Sequence, residues 1–355
     1  MRRPGAEEPA LHSELVQLGW ASRFSDPFHT TATEGQRPAR VMAEHRAAVD
    51  VFDGERTLRA STPPASGIDH PAVGDWVVLE DTPGHPLPAH VVRVLPRASR
   101  FVRKTAFHHS GGQVVAANVD TIFVATSLNR DFKVRRIERY LAAIAAGGSQ
   151  AVVVLTKADL HEGPVPEVPA EHVVSLSALH GWGLEGLAPW LGPGRTVAVV
   201  GSSGVGKSTL VNALLGHAEQ DTGAIREHDA RGRHTTTARR LLPLPGGGAL
   251  VDTPGMRELG LYEADLDSTF EDVVRLVEAC RWRDCTHDHE PGCAVKEAIA
   301  AGEVDPRRVA NYGKLERELA REQRRRATQE RRQQARSRKR QNRVRRKFRL
   351  EDERF

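Results

Sequence analysis

The stretch that most limits what this chain can become lies near its middle. A β-branched run, Val197-Ala198-Val199-Val200, leads into Gly201-Ser202-Ser203-Gly204-Val205-Gly206-Lys207-Ser208-Thr209. An apolar helical pattern follows through Leu210, Val211, Ala213 and Leu214. This is G-x-x-x-x-G-K-[ST] with a strand before it and a helix after it, the setting in which the motif cradles phosphate. Backbone N–H groups at a helix N-terminus face the anion, and side chains at the glycine positions would obstruct it. Lys207 brings a point charge to the β- and γ-phosphates, and the Ser208 hydroxyl is placed to ligate Mg²⁺.

The segments before this loop supply the sheet that must carry it. Val119–Thr126 is an apolar β-run, Arg135–Ala146 a helical one, and Ala151–Leu155 and His172–Leu176 are further strands. Leu184–Leu191 reads as a short helix, and Pro193-Gly194 turns the chain into the phosphate-loop strand. Strands alternating with helices imply a parallel sheet covered on both faces. The second of these strands, Ala151–Leu155, ends in Thr156-Lys157-Ala158-Asp159, which resembles the N-K-x-D motif by which GTPases read guanine. A carboxylate at Asp159 accepts both the ring N–H and the exocyclic amino group of guanine; adenine would leave it unpaired. Lys157 can lie over the base, and Thr156 keeps a hydroxyl where an amide is usual. Ser177-Ala178, after the next strand, matches the S-A element whose backbone meets the guanine carbonyl. Downstream, Arg231-Gly232-Arg233-His234-Thr235-Thr236-Thr237 is a polar, hydroxyl-rich loop in which a Thr can ligate Mg²⁺ while GTP is bound. Then Ala249-Leu250-Val251 leads into Asp252-Thr253-Pro254-Gly255, strand plus D-x-x-G. Asp252 can hold Mg²⁺ through water, and the Gly255 N–H can reach the γ-phosphate.

The flanks have different chemistry. Residues 1–36 carry Pro, Gly, Ser and Thr with little periodicity and read as a flexible arm or edge extension. Candidate strands at Ala39–Glu44, Ala47–Phe52, Asp75–Glu80, Ala89–Leu95 and near Gln113–Ala117 suit a small closed barrel, with the OB-fold the leading choice. Pro96-Arg97-Ala98-Ser99-Arg100-Phe101-Val102-Arg103-Lys104 is basic around an aromatic, as a nucleic-acid face would be. On the far side, all three cysteines fall in Cys280-x4-Cys285-x-His287-x5-Cys293. An odd number of thiols so clustered argues against a disulfide framework and for tetrahedral Zn²⁺ in a reducing compartment. His287 and His289 compete as the fourth ligand. Four protein ligands would make the site structural and closed. A helix is expected near Leu266–Val277, and another over Asp305–Gln329 with Tyr312, Leu315 and Leu319 on one face. From Arg321 to Arg349 the chain carries fifteen Lys/Arg and two Glu, a net of +13 that leaves −8 for the remainder of a +5 protein. Such a tail seeks polyanions and is expected to be disordered until it meets RNA. No run of 18 apolar residues would span a membrane, and the N-terminus lacks the apolar core of a signal peptide. A cytoplasmic monomer with no membrane association is expected.

The order of the motifs narrows the field. In an ordinary GTPase the base-reading motif follows D-x-x-G, whereas here Asp159 and Ser177 precede Gly201. With a barrel before and a Cys/His cluster after, the chain resembles the circularly permuted GTPases of small ribosomal subunit biogenesis, the RsgA (YjeQ) family, from about residue 37 to 320. The resemblance implies three regions, an OB barrel (37–117), a permuted GTPase domain (118–262) and a zinc-binding helical module (263–320); the flexible arm (1–36) and the basic tail (321–355) fall outside it. It implies a subunit-stimulated GTP hydrolase that binds rRNA, with Zn²⁺ on Cys280, Cys285, His287 and Cys293. It also implies Mg²⁺ on Ser208, Thr236 and Asp252. Many GTPases place Gln after D-x-x-G to orient water; here it is Met256. The resembled family assigns that work to a histidine matching His234, beside the charge of Lys207. Two other readings stay open at this point: a P-loop ATPase or kinase with a zinc module, and an RNA-binding protein with a vestigial, non-hydrolysing switch.

Overall fold

The computed structural model describes residues 11–62, 70–104, 112–129, 132–217, 239–252 and 261–352. They fall into two compact units, Met1–Thr269 and Phe270–Phe355.

The first unit opens with two helices, α1 (Leu11–Gln17) and α2 (Ser22–Thr31). For residues 11–31 this corrects the expected flexible arm, while residues 1–10 lie outside the described residues. Trp20, Phe24 and Phe28, spaced four apart, are buried with Leu15 and Leu18, and Trp20 packs edge-on against Trp76 at 4.8 Å. Five strands then close on themselves: β1 (Arg37–Glu44), β2 (Ala48–Phe52), β3 (Thr57–Ser61), β4 (Trp76–Asp81) and β5 (Ala89–Val94). They run in the order β1-β2-β3-β5-β4, and β4 pairs back to β1. This is the connectivity of an OB barrel, filled by Val41, Val49, Val51, Leu58, Val77, Leu79 and Val91.

One barrel strand differs from expectation. Gln113–Ala117 does not belong to the barrel; it lies in β7 (Gly112–Ala117), which forms a separate hairpin with β6 (Arg100–Lys104). The true member is β3, whose exposed-buried alternation in Thr-Leu-Arg-Ala-Ser is too short to stand out from its polar surroundings. The basic stretch 96–104 also loses its role as a stacking face. Phe101 is only 1% exposed, Arg97 is tied to buried Asp75 at 2.6 Å, and Arg100 pairs with Glu263 at 3.1 Å. The aromatic is spent on the core, and two of the cations have carboxylates.

After the hairpin come β8 (Thr121–Ser127), α3 (Val134–Ala145), β9 (Gln150–Thr156), β10 (Val173–Ser175) and a 3-10 turn at Leu184–Trp190. Then follow β11 (Thr196–Gly201), α4 (Lys207–Leu215), β12 (Arg240–Pro243), β13 (Ala249–Asp252) and α5 (Leu266–Thr269). The sheet order is β10-β9-β8-β11-β13-β12, parallel except for β12. Its central strands β8 and β11 are buried along their whole length, as strands covered on both faces must be. Beyond β12 the hydrogen bonding passes directly to barrel strand β1, through Ala43 opposite Arg240. Buried Arg40 of β1 fastens this junction. Its guanidinium donates to the carbonyls of Leu18 and Asn118 and to the Thr196 hydroxyl, and it lies over the Trp76 ring.

The second unit holds α6 (Glu271–Glu278), α7 (Ala294–Ala301) and α8 (Pro306–Asp352). The helix expected over Leu266–Val277 is therefore two, α5 and α6, separated by Phe270. The basic tail is helical to Asp352, which corrects the expected disorder. From Lys314 onward α8 contains neither Gly nor Pro and is rich in Arg, Gln, Glu and Ala, residues of high helix propensity. At 47 residues it is about 70 Å long at 1.5 Å per residue. Among the described residues no helix is long and apolar enough to cross a membrane.

Candidate nucleotide site and metal centre

The phosphate loop grows out of the sheet's centre. At its start, Gly201 has φ +145°, and a Cβ there would stand 2.2 Å from the carbonyl oxygen of Ala125 on β8. Only glycine lets the two strands run side by side to that point. Gly204 and Gly206 take left-handed conformations (φ 77° and 94°), so the loop turns back and delivers Lys207 to the first turn of α4. Val205 is buried in the core and pins the loop from below. Lys207 Nζ donates to the Ser202 carbonyl at 2.5 Å. Ser203 is exposed at the mouth, and Ser208 and Thr209 are half-buried in the first turn of α4.

The T-K-x-D loop meets this one although 45 residues separate Thr156 from Gly201. The Thr156 hydroxyl donates to the Val205 carbonyl at 2.5 Å and lies 3.3 Å from that of Thr126. Lys157, at φ 58°, sends Nζ to the Gly204 carbonyl at 2.7 Å. The hydroxyl that replaces the usual asparagine amide thus clamps one loop to the other. Asp159 follows on a short 3-10 turn, its side chain 12% exposed, with the His180 ring 3.7 Å away. Ala158 N–H donates to Leu176 O, which ties this turn to the next strand's end. Ser177 is buried and bridges to Trp182, closing a tight loop that carries Ala178. His180 stacks on the exposed Trp182 ring at 5.0 Å. Asp252 ends β13, one strand over from β11. The expected sites at Gly232–Thr237, including His234 and Thr236, and at Thr253, Pro254, Gly255 and Met256, lie outside the described residues.

One residue near the loop was missed in the sequence. Arg136, in the first turn of α3, donates from NH1 to Ser202 Oγ at 2.5 Å. Its signal was available: Lys133, Arg135 and Arg136 crowd a helix start that has no acidic residue, against the usual preference.

In the second unit, α6 gives way to a loop whose ligating atoms come from Cys280, Cys285, His287 and Cys293, all within 4.8 Å of one another. His287 Nδ1 lies 3.6 Å from Cys280 Sγ and 3.5 Å from Cys293 Sγ. His287 takes φ 61°, which turns its ring inward, whereas His289 is 90% exposed and faces Asp288. Glu290 holds the loop. Its carboxylate accepts the Thr286 hydroxyl and N–H and the N–H groups of Asp288 and His289. Hydrogen bonds from Thr286, chiefly its hydroxyl, keep that carboxyl well below the usual range. Three soft thiols and an imidazole at these separations form a group that can hold a metal ion.

A mainly parallel sheet with a G-x-x-x-x-G-K-S loop at its centre, bonded to a T-K-x-D loop met earlier in the chain and set behind a closed barrel, is the arrangement of a circularly permuted P-loop GTPase. The comparisons agree. The RsgA GTPase family model matches residues 94–262. A small ribosomal subunit biogenesis GTPase RsgA from Opitutus terrae is 46% identical over 334 residues, 88% of this chain and 91% of the relative. The crystal structure of YjeQ from Thermotoga maritima superposes with a TM-score of 0.56 at 26% identity, covering 80% of this chain and 99% of that one. YloQ, described as a circularly permuted GTPase, shares the fold at a TM-score of 0.55 and 20% identity, over 82% of this chain and 98% of its own. The chain belongs to the RsgA family and is a GTP-hydrolysing enzyme.

Proposed function

We propose that the protein binds GTP between the two joined loops, docks on the small ribosomal subunit in that state, and leaves it after hydrolysis. The observation that carries this is the pair of hydrogen bonds from Thr156 to Val205 and from Lys157 to Gly204. They fix the base-reading turn beside the phosphate loop, so one nucleotide can touch both. Asp159 would accept the two guanine donors, with the Ser177-Ala178 backbone at the base carbonyl. The amides of Ser202 to Thr209 would cradle the phosphates, and Lys207 would exchange its Ser202 carbonyl for a phosphate oxygen.

Ser208 and Asp252 offer hard oxygen donors beyond neighbouring strands β11 and β13, which suits Mg²⁺, with Thr236 completing the set. When bound, Mg²⁺ neutralises charge on the β- and γ-phosphates. In hydrolysis a water oxygen bonds to the γ-phosphorus as the β–γ bridging bond breaks, giving GDP, phosphate and a proton. His234 is assigned to orient that water and Lys207 to stabilise the charge. The Cys280, Cys285, His287, Cys293 group would hold one structural Zn²⁺, stiffening a loop that contributes little core of its own.

Relatives named for small-subunit biogenesis, together with the +13 helix, support an rRNA-bearing partner and work in the cytoplasm. If the subunit prefers the GTP form by about 1–3 kcal/mol, linkage gives a five- to about 150-fold difference in affinity between nucleotide states. Turnover measured with and without small subunits tests the proposal. A rise with subunits, competed by GDP and not by ADP, is expected. Equal rates, or ATP used as readily as GTP, would refute it.

A further inference from the structure

The Lys207 ammonium and the Arg136 guanidinium converge on one residue of the phosphate loop. Lys207 Nζ donates to the carbonyl of Ser202, and Arg136 NH1 to its hydroxyl, each at 2.5 Å. Arg136 comes from α3, an element separate from the loop, and it is half-buried. It has no carboxylate partner among the described residues, although Arg37, Arg97, Arg100 and Arg308 each have one. Its first turn carries Arg135 as well, follows Lys133 and holds no acid, so the positive end of the helix dipole adds to the cations instead of being offset. Arg136 thus sets a guanidinium, with no carboxylate beside it among the described residues, against the phosphate loop itself. The guanidinium has five N–H donors, and one is used by Ser202. The rest are available for a phosphoryl group, whose oxygens match the guanidinium fork.

We propose that Arg136 reads the terminal phosphate of bound GTP, an arginine supplied from within the chain. The proposal rests on nucleotide binding at Gly201–Thr209. GDP lacks the third phosphate, so Arg136 would then contribute to GTP affinity and little to GDP affinity. Ser202 holds the side chain beside the loop. With GTP present the guanidinium keeps Ser202 and adds the γ-phosphoryl oxygens. The residue would thereby help set the difference between the two nucleotide states on which the switch depends.

The test compares GDP with guanosine 5′-(β,γ-imido)triphosphate, in Mg²⁺, on the full chain as wild type, Arg136→Ala and Arg136→Lys. A charge-assisted hydrogen bond to phosphate is lost in the alanine variant, so the imido analogue should bind about tenfold or more weakly. GDP affinity should stay within about twofold, a size below any lost charged hydrogen bond, which also reports that the variant is folded. Lysine should recover part of the loss, because it keeps the charge without the fork. Equal weakening of both nucleotides would make Arg136 a brace for Ser202 and overturn the proposal, as would no change in either. Failure of the wild type to bind either nucleotide would instead sink the phosphate-loop reading beneath it.

Discussion

Replacing Asp159 with Asn tests the guanine site most directly. The aspartate's ion-pair partner among the described residues is His180, at 3.7 Å, so the fold loses little when the charge is removed. The thermal midpoint should move by no more than a surface substitution allows, about 0.5 kcal/mol in stability. Binding is another matter. Guanine offers two N–H donors to a carboxylate, each such charge-assisted bond being about 1.5–3 kcal/mol. Asparagine keeps one acceptor but turns an amide N–H₂ toward a base edge that itself only donates. The net loss should be about 3–4 kcal/mol, or a hundred- to about a thousand-fold in Kd. Xanthine carries a carbonyl where guanine has its amino group, so the new amide should pair with it and XTP affinity should rise. Trp182 gives the assay: its ring stacks on His180, which an arriving base must displace from Asp159. Its fluorescence should report GTP on the wild type and XTP on the variant. GTP affinity within about threefold of wild type, under a kcal/mol and so less than one such bond, would refute the placement of guanine on Asp159.

Other perturbations read other parts of the molecule. Gly201→Ala puts a Cβ 2.2 Å from the Ala125 carbonyl at φ +145°. It should destabilise by about 3 kcal/mol or more in denaturant titration and weaken both GDP and GTP. His287→Ala should lose the bound metal, measured by elemental analysis of purified protein, whereas His289→Ala should keep it, because that ring is exposed and outside the cluster. Arg40→Met removes donors to Leu18, Asn118 and Thr196 and leaves their oxygens buried. A loss of about 3–5 kcal/mol is expected in thermal unfolding.

What the sequence showed clearly were the places where chemistry leaves few choices. Gly201, Gly204 and Gly206 stand where φ is positive, and Thr156 and Lys157 make the contacts that their hydroxyl and amine allow. The Cys/His spacing pointed to a cluster, and folding then separated His287 from His289 through a left-handed backbone. Short or locally polar elements were harder to see. Strand β12 is four residues with Arg at one end and Pro at the other, and its pairing with β1 joins segments nearly 200 residues apart. The N-terminal helices hid behind Pro27 inside α2, although the four-residue spacing of Trp20, Phe24 and Phe28 was legible. For α8, composition argued against a packed core, and that says nothing about a single helix built from strong helix formers.

Permutation changes which segments can speak to the appended modules. The chain returns from the hydroxyl-rich loop at Arg239, whose guanidinium faces Glu44 of β1 at 3.6 Å, and the next residue, Arg240, pairs with Ala43. Both side chains of that ion pair are largely buried, so removing either partner leaves the other's charge poorly solvated. The end of a loop proposed to sense the γ-phosphate is thus hydrogen-bonded to the barrel. In an unpermuted order the D-x-x-G segment would feed further strands of the same sheet. Here β13 is the last strand among the described residues, and the chain goes on to α5 and out of the first unit at Thr269. Each proposed γ-phosphate reader therefore adjoins a different appended part, one by strand pairing and one by continuity of chain. If subunit binding biases either part, linkage requires that nucleotide affinity shift by the same factor. Weakening the barrel connection with Glu44→Ala should then reduce the GTP-to-GDP preference for the subunit while leaving nucleotide affinity of the free protein nearly unchanged. Unaltered preference in that variant would place the coupling elsewhere.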